Sequence, residues 1–241
     1  MWVMNVRIFN DPAEAAQAVA RIIARRLERD PASVLGLPTG RTAAPVYQAL
    51  VGRRPDFSRA HTFNLDEFVG LPPRDPRSFR AFMLQHLFSR VNVRAGHLQF
   101  LNGAARDLDA ECARFERAIA AAGGIDLLIL GIGANGHIGF NEPGASLFLR
   151  THRARLTLAT RRANAARFGG RVASVPRDAL SMGMGTILAA RAIVLVATGR
   201  SKARAVERML AGRITPALPA SFLQLHHDVR LILDRAAAAK L

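Results

Sequence analysis

The chain has 241 residues, half of them apolar, which is enough for a substantial buried core in one large domain or two small ones. A single cysteine, Cys112, excludes an internal disulfide, and no stretch approaches the roughly 18 apolar residues of a membrane span, so we expect an unexported, cytoplasmic protein. The net charge of +16 comes from basic residues spread along the chain, with one Tyr and one Trp for base stacking. This distribution favours an ordinary solvated basic surface, which can help to attract an anionic substrate, over nucleic-acid binding.

Short apolar runs alternate with helical patterns from one end of the chain to the other. The first helix is predicted after Asp11, a capping residue followed by Pro12, and others are predicted near 77–89, 107–121 and 201–211. The predicted strands are 6–9, 33–38, 61–68, 125–133, 191–199 and 229–234. This alternation is typical of a parallel sheet that is covered on both faces by helices.

Neither a linker nor a repeat divides the sequence. We therefore predict one α/β domain over residues 1–241, with a doubly wound, mostly parallel, Rossmann-like sheet. Residues 145–182 have scattered Arg and Gly and weak periodicity. A long irregular segment in an open α/β fold often covers the ligand site, so we predict that this segment is a lid.

The segment after the second strand has the composition of an anion-binding turn. Thr39, Gly40 and Thr42 lie between a strand and a helix, where free backbone N–H groups and hydroxyl groups converge, as a phosphate requires. The Lys-Ser/Thr pair of a nucleotide-triphosphate loop is missing, which argues against nucleotide hydrolysis. An ordinary turn with a capping hydroxyl explains the same residues equally well.

Two neighbouring carboxylates, Asp66 and Glu67, lie at the end of the third strand with apolar residues on both sides. A carboxyl group that is partly removed from water has a raised pKa and can act as a base on a carbon acid. The alternative is that these carboxylates cap a turn or a helix.

The apolar run at 125–130 continues into a glycine-rich loop, residues 131–144. Its first glycines have the G-x-G-x-x-G spacing of a dinucleotide-binding turn, but Gly139 and Pro143 disfavour the helix that this motif requires. The acidic residue expected about 20 residues later is also missing. We therefore predict that the loop holds no dinucleotide.

His137 and Glu142 in this loop form a titratable pair. An imidazole can transfer a proton in either direction near neutral pH, and a carboxylate beside it can orient it and raise its basicity. Structural roles, with Glu142 capping a turn and His137 bonded to the backbone, fit the spacing equally well. A similar strand–turn–helix pattern at 197–205 makes Lys202 available to an anion.

Taken in order, these segments resemble the glucosamine-6-phosphate deaminase family, within a wider group that includes 6-phosphogluconolactonases. The resemblance covers nearly the whole chain. It is carried by LGLPTGRT (35–42), TFNLDEFVGLP (62–72), LLILGIGANGHIGFNEPG (127–144), ALSMGMGTILAAR (179–191), ATGRSKA (197–203) and FLQLH (222–226). The combination of the second and third segments is highly specific, and it favours the functional interpretation of each cluster over the structural one.

The resemblance implies hydrolytic deamination of glucosamine 6-phosphate to fructose 6-phosphate and ammonia, without a metal or organic cofactor. It implies that His137 opens the sugar ring, oriented and polarised by Glu142 and Asn135, and that Asp66 moves a proton from C2 to C1. The implied phosphate ligands are Thr39, Gly40, Arg41, Thr42, Arg167 and Lys202. The alternatives are a lactonase of the same superfamily and a non-catalytic sugar-phosphate-sensing module; a monomer and a homo-oligomer both fit.

Some positions depart from the family pattern. Arg41 occupies a position that is glycine in some members, and Asn135 one that is Asp in others. The stretch 144–155 differs from that of allosterically regulated members, and the sequence ends at Leu241 without their aromatic extension. The resemblance therefore predicts no allosteric control by amino sugars.

Overall fold

The structure is a computed structural model that describes residues 4–241. Its strands are β1 (Asn5–Phe9), β2 (Val34–Leu37), β3 (His61–Asn64), β4 (Asp66–Phe68), β5 (Leu98–Gln99), β6 (Leu127–Gly131), β7 (His152–Arg155), β8 (Asp178–Ser181), β9 (Ile193–Ala197) and β10 (Val229–Asp234). Its α-helices are α1 (Pro12–Arg29), α2 (Ala43–Val51), α3 (Phe79–His86), α4 (Leu108–Ala121), α5 (Leu158–Asn164), α6 (Met184–Leu188) and α7 (Ala203–Ala211). None of these helices is both long enough and apolar enough to span a membrane.

Seven strands form one parallel sheet in the order β1-β10-β9-β6-β2-β3-β5. Successive residues of β6 point to opposite faces, so that Leu128 and Leu130 lie in one apolar core with α4 and α7, and Leu127 and Ile129 in a second core with α1 and α2. Because both faces are buried, the strands read as almost continuous apolar runs. The predicted doubly wound fold is confirmed.

The first helix begins where the sequence predicts. The carboxylate of Asp11 accepts hydrogen bonds from the N–H groups of Ala13 and Glu14 at 2.8 and 2.9 Å, which satisfies two donors that the helix leaves free. On the inner face of α1, Val19 and Ile23 are fully buried against the sheet. The cap and the apolar stripe together fix both the start and the orientation of α1.

The prediction of one strand over residues 61–68 is wrong. β3 ends at Asn64, and Asp66–Phe68 forms β4, which pairs antiparallel with β8 in a separate sheet of order β4-β8-β7. Phe68 is buried in a third apolar core, against Phe140 and Phe168. One apolar run therefore contributes a strand to each of two sheets. The chain passes from the first sheet to the second at Leu65, where no glycine or proline marks the break.

Residues 145–182 are more ordered than their periodicity predicts. They contain β7, α5 and β8, and β8 is the central strand of the small sheet. Ala179 and Leu180 are fully buried, so this part of the segment belongs to the cores. Closure of the remainder over a ligand stays a prediction.

The strand order identifies the edge of the main sheet where a ligand is expected. From β2 the chain proceeds outward to β3 and β5, whereas from β6 it proceeds in the opposite direction to β9 and β10. The topological switch point therefore lies between β2 and β6. Open α/β sheets bind ligands at the carboxyl ends of the strands at such a point.

Candidate active site

The four predicted polar clusters follow four adjacent strands. The loop of residues 39–42 follows β2, Asp66 follows β3, the glycine-rich loop 131–144 follows β6, and Lys202 follows β9. Because these strands are parallel, all four clusters leave the sheet at its carboxyl edge. The two loops on either side of the switch point are the glycine-rich loop and the loop of residues 39–42.

The glycine-rich loop contains no helix, which agrees with the prediction that it is not a dinucleotide turn. The N–H of Gly133 donates to the carbonyl of His137 at 2.9 Å. A Cβ atom added to Gly133 would lie 2.4 Å from the imidazole of His137, so the ring packs directly on the glycine backbone. The second glycine of the pattern is therefore needed for the close approach of the histidine.

Three of the predicted catalytic residues are in contact within this loop. Nδ1 of His137 lies 3.6 Å from Oε2 of Glu142, and the same oxygen accepts a hydrogen bond from the side-chain amide of Asn135 at 2.9 Å. The backbone N–H of His137 donates to Oδ1 of Asn135 at 3.2 Å. Oε1 of Glu142 accepts from the hydroxyl of Thr157 at 3.2 Å. The carboxylate is thus held from both sides, with the imidazole 21% exposed beside it.

These contacts determine the protonation state of Glu142. Burial raises the pKa of its carboxyl group, but His137, Thr160 and Asn135 more than offset this effect and bring the pKa to about 2. Glu142 is therefore ionised at every pH at which the folded protein is expected to work. A fixed carboxylate beside Nδ1 orients the imidazole.

Asp66 lies close to Gly139 of the glycine-rich loop. It is 8% exposed, and its Oδ2 would be 3.9 Å from a Cβ atom added to Gly139. Its Oδ1 is buried without a hydrogen-bond partner among the described residues. Burial raises the pKa of Asp66 to about 8, and the charge of Glu67 adds to this effect. Asp66 therefore has the raised pKa that the sequence predicted for a base.

Glu67 has a different role from its neighbour. Its carboxylate accepts hydrogen bonds from the backbone N–H groups of Phe68 and Phe79 at 2.9 Å and from that of Arg80 at 3.0 Å. Two of these donors belong to the first turn of α3. The cap interpretation is therefore correct for Glu67, while Asp66 is left free for chemistry.

The loop of residues 39–42 presents backbone donors and positive charge. None of its four backbone N–H groups donates to an acceptor in the part of the chain that the structure describes. Burial lowers the pKa of Lys202, and the charge of Arg41 lowers it further, so the two cations lie close together. Like charges held together favour binding of an anion between them.

Arg167, which is also predicted to bind the phosphate, contacts aromatic rings of α3. Its guanidinium carbon lies 5.4 Å from the ring centre of Phe79 and 5.2 Å from that of Phe82, both on α3. Burial lowers the pKa of Arg167, although the nearby charge of Glu67 opposes this effect. In this arrangement the guanidinium is held by aromatic faces rather than by the loop of residues 39–42.

Several residues that support the site are not predicted from the sequence. Ser181 accepts a hydrogen bond from the N–H of Phe140 at 3.0 Å, and the amide of Asn141 donates to the carbonyl of Met182 at 2.8 Å, so β8 supports the glycine-rich loop. Thr157, which supports Glu142, is 15 residues away in the segment predicted as a lid. Its position before α5 as a capping residue was the only available signal.

Within residues 4–241 no group of three or more His, Cys, Asp and Glu side chains is arranged to hold a metal ion. The acid–base groups of the candidate site are those of Asp66, His137 and Glu142, and the groups suited to an anion are the N–H donors of residues 39–42 with Lys202. This arrangement suits proton transfer on a small phosphorylated molecule.

The chain belongs to the family described as glucosamine-6-phosphate isomerases/6-phosphogluconolactonase, which matches residues 10–232. Among its relatives, a glucosamine-6-phosphate deaminase of Rhodopirellula baltica is 49% identical over 99% of this chain and 96% of the relative. A glucosamine-6-phosphate deaminase of Thermoanaerobacter sp. (strain X514) is 43% identical over 98% of this chain and 94% of the relative.

Solved structures give the same assignment of the fold. A monomeric glucosamine-6-phosphate deaminase has a TM-score of 0.95 and 42% sequence identity, and the match covers 99% of this chain and 100% of that one. A 6-phosphogluconolactonase from Trypanosoma brucei has a TM-score of 0.77 at 18% identity and covers both chains completely. The second likeness concerns the fold alone.

Proposed function

We propose that the protein is a glucosamine-6-phosphate deaminase, which converts glucosamine 6-phosphate and water into fructose 6-phosphate and ammonia. The observation that carries the proposal is the pair of separate acid–base groups at the switch point. The pKa of Asp66 is raised to about 8 by burial, whereas Glu142 is kept ionised beside His137. Two carboxyl groups with such different environments are suited to two different proton transfers.

The first transfer opens the pyranose ring. His137 takes the proton of the C1 hydroxyl and gives one to the ring oxygen, the C1–O5 bond breaks, and C1 becomes an aldehyde. Glu142 holds the imidazole in place through the 3.6 Å contact, and Asn135 fixes Glu142 through the 2.9 Å hydrogen bond. The new carbonyl group makes the C2 proton acidic enough for a carboxylate to remove.

The second transfer uses Asp66. Its ionised form removes the C2 proton, the electrons move to the C1 carbonyl, whose oxygen takes a proton from His137 to give an enol, and Asp66 returns the C2 proton to C1. The product has a protonated C2 imine and a C1 hydroxymethyl group. Water adds to the imine carbon and ammonia leaves, which gives the C2 ketone. A buried carboxylate with a high pKa is a stronger base than an exposed one, and this favours the carbon acid step.

The phosphate would bind at the loop of residues 39–42 with Lys202 and Arg41. Four backbone N–H groups that have no acceptor within residues 4–241 and two neighbouring cations support this placement. Arg167 is proposed as an additional ligand that would leave the aromatic rings of Phe79 and Phe82 when phosphate binds. Binding energy at the phosphate fixes the reacting end of the sugar near the acid–base groups.

The test is an assay of the purified protein with glucosamine 6-phosphate, in which ammonia and fructose 6-phosphate are measured together. We expect equal amounts of the two products. A lactonase needs no base for a C2 proton, so rapid hydrolysis of 6-phosphogluconolactone without ammonia release would replace this proposal. Binding of glucosamine 6-phosphate without turnover would indicate the non-catalytic sensing module.

We further propose that the protein acts as a cytoplasmic monomer on a small-molecule substrate and does not bind nucleic acid. The likeness to the monomeric deaminase supports the first part, and the single cysteine agrees with a reducing compartment. Sedimentation analysis should give a mass near that of one 26.1 kDa chain.

A further inference from the structure

A buried tyrosine lies near the start of the loop of residues 39–42 and near Asp66. Tyr47 is on α2, is 1% exposed, and donates a hydrogen bond from its hydroxyl to the backbone carbonyl of Pro38, the first residue after β2. Burial raises the pKa of Tyr47 well above its usual value, and the nearby charge of Asp66 adds to this effect. None of the proton transfers proposed above uses this hydroxyl.

The hydrogen bond fixes the orientation of one peptide plane. The peptide between Pro38 and Thr39 is trans and planar, so the C=O of Pro38 and the N–H of Thr39 point in opposite directions. Because Tyr47 holds the carbonyl towards the core, the N–H of Thr39 points away from the core and into the loop of residues 39–42. This N–H donates to no acceptor within residues 4–241.

We infer that Tyr47 is a positioning residue for the phosphate loop: by holding the Pro38 carbonyl towards the core, its hydroxyl directs the Thr39 N–H at a phosphate oxygen of the substrate. The inference rests on the proposed function for the class of ligand. A donor that is already oriented needs no reorganisation when the anion binds. Without the hydroxyl, the carbonyl of Pro38 loses its buried donor, and rotation of the peptide would turn a carbonyl oxygen towards the phosphate and repel it.

The variant Tyr47→Phe tests this role because it keeps the buried ring and removes only the hydroxyl. We expect the KM for glucosamine 6-phosphate and the inhibition constant of inorganic phosphate to rise together, by roughly three- to tenfold, as for one lost hydrogen bond. We expect kcat to stay within about twofold, because the phosphate is bound equally in the ground state and the transition state.

Ser33→Ala is the matched control. Ser33 is fully buried immediately before β2, where its hydroxyl donates to the carbonyl of Asp30 at 2.6 Å and accepts from Nε of Arg26 at 2.8 Å. The control therefore loses the hydrogen bonds of a buried hydroxyl at the other end of β2, away from the loop. Its KM and its inhibition constant should equal those of the unmodified protein, since a general loss of stability does not change phosphate binding.

A direct measurement uses the unmodified protein and inorganic phosphate. In a ¹⁵N–¹H NMR titration, the amide resonance of Thr39 should shift with phosphate, and in Tyr47→Phe it should require a several-fold higher concentration. A Thr39 resonance that does not respond, or a folded Tyr47→Phe variant with unchanged KM and inhibition constant, would overturn the inference. Failure of the proposed function is a separate result, since the unmodified protein would then release no ammonia while the titration still reports on the loop.

Discussion

Asp66 shows at the scale of a single residue how function and stability oppose each other in this protein. Its carboxyl group is buried next to that of Glu67, and only Glu67 receives backbone hydrogen bonds. A buried acid without donors keeps its proton at pH values where an exposed acid has lost it. The same environment that makes Asp66 a suitable base therefore costs folding free energy when it ionises.

Asp66→Asn should abolish deamination and at the same time stabilise the fold. The folded-state pKa of about 8 is above the ordinary value of 3.8, so the folded protein binds more protons than the unfolded chain between these pH values, and its stability falls as pH rises through this window. The variant has no ionisable group at this position, so its stability does not fall over this pH range for this reason. We expect activity to fall by roughly 100- to 10,000-fold, and the difference in Tm between variant and parent to grow from pH 5 to about pH 8 and then level off.

Thermal unfolding at pH 5, 7 and 9 measures this difference. The control Asp228→Asn removes an exposed carboxylate that pairs with Arg230 at 3.3 Å, so that general effects of charge can be subtracted. A Tm difference for Asp66→Asn that is independent of pH would contradict the raised pKa.

Glu142 shows the opposite pH dependence. Its folded-state pKa of about 2 is below the ordinary value of 4.5, so its contribution to stability is complete above about pH 4.5 and is lost as pH falls towards 2. Glu142→Gln removes this contribution. We expect the variant to be less stable than the parent at pH 7, the difference to shrink between pH 5 and 2, and kcat to fall by about 100-fold because His137 loses its orienting carboxylate.

Urea unfolding across this pH range, together with kcat at neutral pH, checks both statements. Glu207→Gln is the control, since it breaks a surface ion pair with Lys240 at 3.9 Å that should contribute little. Equal stability of Glu142→Gln and the parent at pH 7 would show that the carboxylate is not held as described.

At the scale of elements, the glycine-rich loop resolves an ambiguity that the motif leaves open. The G-x-G-x-x-G spacing fits a dinucleotide turn, yet Gly133 is required because the ring of His137 occupies the space of its Cβ atom. Gly131, two residues earlier, has open space around its added Cβ atom. Two glycines of one motif are therefore expected to differ in their tolerance of alanine.

Gly133→Ala should displace the imidazole of His137, whereas Gly131→Ala should not. An added Cβ atom 2.4 Å from the ring must move the ring or the backbone, and a displacement of about 1 Å at a reacting group can lower the rate by about 100-fold. We expect kcat to fall by roughly 10- to 100-fold in the first variant and to change little in the second. Similar kcat values in the two variants would rule out this function of Gly133.

The small sheet is the other element that matters for the site. β4 carries Asp66 away from the main sheet, and β8 pairs with β4 and supports the glycine-rich loop through Ser181. Residues that are far apart in the sequence are thereby held around one carboxyl group. The apolar run at 61–68 predicts extended structure in both halves but not that the second half joins a different sheet, because burial alone does not specify the partner strand.

At the scale of the whole molecule, the net charge of +16 bears on the substrate rather than on the fold. A positive protein attracts a phosphorylated sugar over a distance comparable with the Debye length, which is about 10 Å at 0.1 M salt and longer in dilute buffer. Added salt shortens this range. The charge is therefore expected to affect capture of the substrate more than the chemical steps.

We expect kcat/KM for glucosamine 6-phosphate to fall by roughly three- to tenfold between 10 and 200 mM sodium chloride, with kcat nearly unchanged. Initial rates over a range of substrate concentrations at each salt concentration provide the measurement. Arg41→Gln, which removes an exposed charge near Lys202, should reduce the salt dependence. A kcat/KM that does not depend on salt would show that the basic surface has no such role.

Local patterns along the chain specify the parallel sheet, the helices on both faces and the positions of the polar clusters, because burial of both sheet faces leaves apolar runs and capping residues mark helix starts. These patterns do not specify that Glu67 rather than Asp66 caps α3, that Thr157 supports Glu142, or that Tyr47 binds the carbonyl of the peptide before Thr39. Each of these features depends on a contact between distant segments, and the first also distinguishes two neighbouring carboxylates. Local periodicity contains no information about them, since they depend on which loops the strand order places side by side.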